Sequence, residues 1–535
     1  LYGVDIMKEA VEIAKLRLFL KLVATVEADY HRSTLNLGIE PLPDIDFNIR
    51  AGNTLVGFAS LDEAIRAVNS KDKQGQMGLV FEDELDIVNS IKIKADDLAR
   101  VFKSFKESQL AENLVDRKLA KDKLIQYKTN LNDILNEYHA FLYGIDKKDQ
   151  YEKFNHWLQS HQPFHWFAEF YEIVHDKGGF DVIIGNPPYV VYSETSFNYK
   201  LKDFKTISCS NLYAYCSERS FQIINSNGRF GMIIPNSSIS ADKLAPLQKL
   251  FTNDNKSWIS NYSWRPSKLF EGADMLLAII LSSKSEKKKV FSTMYSKWYS
   301  DYRGFLFDNL SYNDVSEIFM DGTIPKIPSS RYFQILEKTK FKSGNKNLLG
   351  YFKFFHTNHF FYYFRAVQYW VKILEKEPVY LDNGVQTKTG EMKSIYTDNE
   401  ELKFLFISIL SSSAYFIHYI TWASCQVINN RDFEFPFYKE ALNEDLFEKL
   451  VLLGKKIQLD YQQNSQIISR TYSKKGRFFK MEKQHYYIKK SKPIIDEIDK
   501  VLAEHYGFTE EELDFIINYD IKYRMGKELE GGEEE

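Results

Sequence analysis

Phe180-Asp181-Val182-Ile183-Ile184-Gly185-Asn186-Pro187-Pro188-Tyr189 is a β-rich apolar run that ends abruptly in two prolines. Its near-continuous hydrophobicity predicts a strand buried on both faces of a parallel sheet. Neither proline has an N–H to donate, so no ladder or helix continues through them. The expected product is a stiff loop at the carboxyl end of a central strand, where open α/β sheets bind their ligands. That loop offers one amide side chain, one carbonyl and one aromatic ring. Together they suit a planar –NH2 group. The Asn186 side-chain oxygen and the Pro187 carbonyl each accept one of its hydrogens, and the Tyr189 ring stacks on the flat molecule that carries it. A Pro-Pro turn preceded by Asn is also ordinary loop chemistry, so the strand before it carries much of the weight.

Working outward, Leu1-Tyr2-Gly3-Val4-Asp5-Ile6 reads as a strand ending near Asp5, and Val11, Ala14, Leu18 and Leu22 recur at helical spacing after it. An acid closing such a strand accepts from ribose hydroxyls in doubly wound nucleotide-binding folds, or else caps the following helix. Pro41 and Pro43 break the chain, and Asp46–Leu55 reads as a second short strand running into a Gly turn. There Asn53 is placed to pair with an adenine edge, although Gly-Asn also marks ordinary turns. Residues 60–175 are charged, lysine-rich and helical in pattern, with a long antiparallel pair expected near 82–113 and 114–143. Residues 180–285 return to α/β: a helix at Ser210–Asn225, a buried strand at Gly228–Pro235, and a strand pair, Ser257–Trp264 with Met275–Ser282, around a loop. Residues 290–440 are aromatic with short β-like runs, residues 441–535 read as mostly helical, and Gly531–Glu535 as an acidic disordered tail.

Composition narrows the class. With 535 residues, 44% hydrophobic and 27% charged, the chain is globular and long enough for several domains. No apolar run approaches the roughly 18–20 residues needed to span a bilayer, and Leu1–Ala10 has no signal-peptide pattern. Cys209, Cys216 and Cys425 have neither metal-like nor disulfide-framework spacing, which fits a reducing cytoplasm. The net charge of −3 supplies no global basic field, so any nucleic-acid contact comes from local patches. A chain starting at Leu1, almost inside a strand, is expected to be a C-terminal fragment.

Taken in order, Val4-Asp5-Ile6, Gly52-Asn53-Thr54-Leu55, Asn186-Pro187-Pro188-Tyr189 and Gly228–Pro235 resemble the Type IIG restriction–modification family. Its methyltransferase part is a gamma-class DNA adenine-N6 methylase that uses S-adenosylmethionine. The likeness extends through Gly384–Gly390, Leu410–Ser412, Asn429-Asn430-Arg431 and Phe435-Pro436, which look like the target-recognition region. It reaches Lys492–Asp496 and Tyr519–Gly526, which look like the family's C-terminus.

The resemblance implies an α/β fold: a Rossmann-like class I methyltransferase sheet with a long helical insertion, then a mixed α+β target-recognition domain and C-terminal helices. The corresponding bounds are 1–285 (insertion about 60–175), 286–445 and 446–535. It further implies that Asn186, Pro187, Pro188 and Tyr189 are catalytic. Asp5, Ile6, Asn53, Thr54 and Asn186 would bind S-adenosylmethionine, and Tyr189 and Phe270 would stack on a flipped adenine. Double-stranded DNA is the expected partner, with no membrane role; many relatives carry a nuclease domain at the N-terminus, and whether one precedes Leu1 in the parent chain is not legible in this sequence. The chain departs from the family in lacking the Gly-rich loop before Asp5. Asp382, Glu391 and Lys393 have a nuclease-like Asp…Glu-x-Lys spacing that reads as coincidence. The rival readings are an inert DNA-specificity fragment and a protein glutamine N-methyltransferase. The long segment beyond Ser282 argues against the second.

Overall fold

The computed structural model describes residues 1–27, 45–73, 81–109, 114–318, 322–474 and 477–526. The expected Pro41/Pro43 break and the acidic tail lie outside these residues. The chain divides into two compact units: Leu1–Ile233 with Lys249–Lys256 and Leu281–Lys287, and Ile234–Gln248 with Ser257–Ile280 and Lys288–Glu535.

In the first unit, β1 (Gly3–Asp5) leads into helix α1 (Lys8–Val23), and β2 (Ile49–Ala51) pairs with β1 in parallel, Asp5 opposite Ala51. The helical insertion follows as α2 (Leu61–Lys73), α3 (Phe81–Gln109) and α4 (Leu114–Phe141). The long antiparallel pair expected from the sequence corresponds to α3 and α4. On α3, Ile91, Ala95, Leu98 and Phe105 repeat at helical spacing and are buried. They pack with Leu124, Leu131 and Leu135 of α4 and with Phe47, Phe58 and Phe167, so the insertion shares one core with the segment that follows β2. Lys128 falls on the apolar stripe of α4 and is 5% exposed. It is compensated by Glu169 at 2.5 Å, which Arg50 also approaches at 3.0 Å and to which Asn132 donates at 2.8 Å. Burial opposes the Glu169 charge, but Lys128 and Arg50 overcome it and hold the carboxyl at about 2.

Helices α5 (Tyr151–His161) and α6 (Trp166–Glu169) then lead to β3 (Phe180–Gly185). β3 pairs in parallel with β4 (Ile224–Pro235), and α7 (Leu212–Ile223) lies between them in sequence. Next come α8 (Ala245–Thr252), β5 (Asn255–Tyr262), β6 (Leu277–Lys284), β7 (Lys289–Ser296) and β8 (Asn313–Asp314). The six-stranded order is β3-β4-β6-β5-β7-β8. β5 and β6 are neighbours, matching the strand pair expected around the Arg265–Asp274 loop.

One expectation is overturned. β3 is an edge strand, not a central strand buried on both faces: Val182 is 58% and Ile184 78% exposed. Among the described residues β4 is its one neighbour, so the apolar run that marks the strand in sequence is half uncovered.

The second unit continues with α9 (Arg331–Ser343), β9 (His359–Phe364), β10 (Ile373–Leu374), β11 (Tyr380–Asp382), β12 (Val385–Gln386) and β13 (Met392–Thr397). Phe361 and Tyr363 of β9 point inward while Phe354 and Phe355 before it are exposed, so the aromatic run is split between core and surface. Two apolar helices, α10 (Glu400–Ser411) and α11 (Ser413–Trp422), are almost wholly buried. No single helix among the described residues is long and apolar enough to cross a membrane. The described residues end with α12 (Glu444–Gln463), strands β14 (Ser465–Lys474) and β15 (Arg477–Tyr486), then α13 (Lys492–Tyr506), α14 (Glu510–Asn518) and α15 (Ile521–Met525). The described residues of 441–535 are mostly helical, as expected, and the β14–β15 ribbon is an added element that the sequence pattern did not show. Sheet orders here are β10-β9-β13 and β12-β11-β15-β14.

Candidate active site

Each strand-borne candidate of the first unit sits at the carboxyl end of its strand. Asp5 is the last residue of β1 and is exposed; its carbonyl accepts from Gly52 N–H at 2.9 Å. Its Oδ1 accepts from Met7 N–H at 2.8 Å, the cap-like contact, and leaves Oδ2 for another donor. Ile6 is 38% exposed beside it.

Asn53 is 3% exposed. Its N–H donates to the Gln162 carbonyl at 2.8 Å, and its Oδ1 accepts from Leu55 N–H at 3.1 Å. Its Nδ2 is buried and makes no hydrogen bond among the described residues. A buried amide donor with no acceptor is costly, so it marks a place where an acceptor belongs. The Thr54 carbonyl accepts from Trp166 Nε1 at 3.2 Å.

The segment after Asn53 is held by groups that sequence reasoning missed. Phe164 and Trp166 donate backbone N–H groups to the Val56 and Phe58 carbonyls at 2.7 and 2.9 Å. In return, Gly57 N–H ends on His139 Nε2 at 3.2 Å and Phe58 N–H on His165 Nδ1 at 3.1 Å. Both imidazoles must therefore be neutral at those nitrogens. Burial drives His165 down to about 3 and His139 well below the ordinary range, so they stay neutral. The buried Arg219 donates Nη2 to the Gly57 carbonyl at 3.2 Å and, more weakly, to that of Leu55 at 3.4 Å. The one available signal was the pairing of histidines with aromatics, as in Phe164-His165-Trp166.

Gly57 has φ +121°, and a Cβ there would lie 2.3 Å from the Phe164 carbonyl oxygen. Only glycine permits this backbone and this approach.

The loop after β3 displays an exposed Asn186, a buried Pro187, an exposed Pro188 and a half-buried Tyr189. The Tyr189 hydroxyl lies 2.5 Å from Asn186 Oδ1 and 3.0 Å from the Ile233 carbonyl, and its single proton is shared between these acceptors. Burial pushes the phenol up to about 12, so it remains a donor. Asn186 Oδ1 keeps a second lone pair for an incoming N–H. Past the loop, Leu212 N–H donates to the Val190 carbonyl at 3.0 Å and joins it to the start of α7.

Phe270 is half-buried in the loop between β5 and β6, in the second unit. Asp382 ends β11 in the four-stranded sheet, whereas Lys393 is in β13 of the three-stranded sheet. Their nuclease-like spacing is thus split between sheets. Asn429 and Asp432 form a reciprocal capping box, and Arg431 pairs with Asp242.

The family model described as Eco57I restriction-modification methylase matches residues 1–270, half of the chain. A chain of Methanocaldococcus jannaschii, described as a type II restriction enzyme and methyltransferase, is 28% identical over 372 residues. That match covers 64% of this chain and 31% of the relative, so the chain spans about a third of that relative's length. Among solved structures, the Type IIL restriction-modification enzyme MmeI in complex with DNA is 12% identical at a TM-score of 0.34, over 82% of this chain and 78% of that one. The type IIG restriction endonuclease BpuSI is 9% identical at 0.24, over 63% and 54%. The strand-end sites all fall inside the matched 270 residues, and on that match the chain belongs to the Eco57I restriction-modification methylase family.

Proposed function

We propose that this chain is the catalytic and recognition part of a site-specific DNA methyltransferase that methylates adenine N6. The observation that carries the reading is the Asn186–Tyr189 loop at the carboxyl end of β3, with the Tyr189 hydroxyl fixing the Asn186 amide. Asn186 Oδ1 and the Pro187 carbonyl accept the two N6 hydrogens. That geometry draws the nitrogen lone pair out of conjugation. The amine becomes acidic only as it is alkylated, so no strong base is needed beforehand. Positioning and fixed dipoles supply most of the acceleration. The target base is flipped out of the duplex at a cost of a few kcal/mol. The Tyr189 ring stacks on it, and Phe270 is the second stacking residue that the family resemblance implies.

S-adenosylmethionine is the methyl donor in this reading and supplies an electrophilic sulfonium methyl. The residues present suit its nucleoside half: the free Asp5 carboxylate oxygen matches ribose hydroxyls, and the orphaned Asn53 Nδ2 matches an acceptor nitrogen of adenine. Ile6 and Thr54 flank those contacts.

The test is Asn186→Ala in the full chain, assayed for transfer of labelled methyl groups from S-adenosylmethionine to DNA. Transfer is expected to vanish while duplex binding stays within about twofold. Full transfer by the variant, with label in N6-methyladenine, overturns the assignment.

A further inference from the structure

The segment 465–486 carries six Lys or Arg residues against one acid, in a chain whose net charge is −3. It folds as the β14–β15 ribbon, paired antiparallel over its whole length from Ser465↔Tyr486 to Lys474↔Arg477. Ten residues per strand give an arm about 33 Å long. β11 pairs with it at Met481–Lys483, and the residues flanking β11, Val379 and Asn383, extend the contact to Gln484 and Lys480, so toward the tip the arm has two strands. A two-stranded ribbon is marginal in water unless something covers a face.

The two faces differ in charge. Strand alternation and register put Ile468, Arg470 and Tyr472 on one face with Lys483, Met481 and Phe479. Tyr472 and Phe479 stack at 5.7 Å on that face. A groove of about 250 Å³ runs along it, lined by Arg470, Lys483 and His485 among apolar neighbours, with no carboxylate in its lining. Arg470 and Lys483 are exposed. The acid of the ribbon, Glu482, is on the opposite face, where it pairs with Lys480 at 3.0 Å. Lys483 and His485 also line an adjoining cleft of about 900 Å³ that holds Lys372, Lys489, Tyr369 and Trp370, with Glu391 as its one lining acid. Burial, then Lys372 and Arg470, lower the His485 pKa, as expected of a positive patch.

We propose that the β14–β15 ribbon is a DNA-contacting arm, outside the 286–445 segment expected to hold target recognition, whose Arg470–Lys483–His485 face lies along the phosphates of double-stranded DNA. The inference rests on the methyltransferase reading above for the choice of DNA as the polyanion. A two-stranded ribbon has the width the major groove admits, the cations supply sequence-independent affinity, and the aromatic pair supplies a flat wall.

The test is fluorescence anisotropy of a labelled 30-base-pair duplex against the full chain between 50 and 300 mM KCl. Arg470→Ser/Lys483→Ser should weaken binding about ten- to a hundredfold near 100 mM and lower the slope of log K on log salt by about 2. Lys480→Ser, on the opposite face, should move the slope by less than half of that. Both altered side chains are exposed, and an unchanged thermal melt confirms the fold. If the parent binds duplex and the double variant keeps its affinity and slope, the arm is overturned while the methyltransferase reading stands. No duplex binding by the parent overturns both. Equal loss on a duplex RNA of the same length overturns the assignment to DNA.

Discussion

The Tyr189 hydroxyl stands 2.5 Å from Asn186 Oδ1 and 3.0 Å from the Ile233 carbonyl, so the ring that would stack on a substrate also fixes the amide that would hold it. Tyr189→Phe keeps the ring and removes only this tether. The methyl-transfer rate should fall about ten- to a hundredfold, the scale for a catalytic group misplaced by about 1 Å. Duplex affinity should not change. A kcat equal to that of the parent would show that the hydroxyl does not position Asn186.

Acid should loosen the Gly57–Phe58 segment before it disturbs the Lys128–Glu169 pair. The His139 and His165 pKa values are lowered in the fold from an ordinary 6.5, mainly by burial, and His161 falls to about 4 for the same first reason. For a group lowered this way the unfolded chain binds more protons below 6.5. Stability is therefore full above 6.5 and is lost as pH falls toward the folded values. Glu169 also has a lowered value, about 2 against 4.5, so its contribution is lost only below 4.5. Between pH 6.5 and 4.5 the loss comes from the lowered histidines, and at pH 5 the two fully buried ones each cost about 2 kcal/mol. Asp432 and Asp499, raised to about 6 by burial, offset part of this because they favour the fold as pH falls through that value. Urea unfolding at pH 7.5, 6 and 5 measures this, and His139→Gln/His165→Gln should flatten the dependence. The same pH dependence in the parent and in the double variant rules the account out.

Lys128 should be worth far more than the exposed ion pairs around it. Lys128→Met leaves Glu169 buried with Arg50 and Asn132 as its remaining partners. Breaking a buried pair from one side costs about 3–5 kcal/mol, whereas exposed pairs give roughly 0–1. Lys449→Met, at the half-exposed pair with Asp445, is the comparison. Equal denaturation midpoints for the two variants would contradict the burial argument.

The strands and helices that were legible in the sequence are those whose pattern is local. Ile91, Ala95, Leu98 and Phe105 declare a helix face without reference to any partner, and the Asn-Pro-Pro-Tyr stop declares a strand end. What β3 pairs with is not local: its apolar run reads as a central strand, yet among the described residues β4 is its one neighbour in the sheet. The β14–β15 ribbon was missed because the adjacent Ile467 and Ile468 break alternation and its lysines resemble a solvated helix face. At the candidate site, the residue types were readable at Asp5, Asn53 and Asn186. The support was not. His139 and His165 reach Gly57 and Phe58 from 82 and 107 residues away, and no spacing rule reports that.

Gly57 and Gly144 both have positive φ, +121° and +75°, but only one of them is crowded. At Gly144 a Cβ meets nothing within 4 Å, so Gly144→Ala bears only the left-handed backbone penalty of about 1–2 kcal/mol. At Gly57 the new Cβ falls 2.3 Å from the Phe164 carbonyl oxygen and 2.6 Å from its carbon, both backbone atoms that cannot rotate away. The 53–58 segment must then move off Phe164, which breaks the Phe164–Val56 hydrogen bond and shifts Asn53. Gly57→Ala should lower Tm by about 10 °C or more, against roughly 3–6 °C for Gly144→Ala. S-adenosylmethionine binding, measured by calorimetry, should weaken at least tenfold in Gly57→Ala alone. Equal Tm losses would mean that backbone strain, not contact with Phe164, sets the cost. Unchanged donor binding beside a large Tm loss would separate this segment from the donor site.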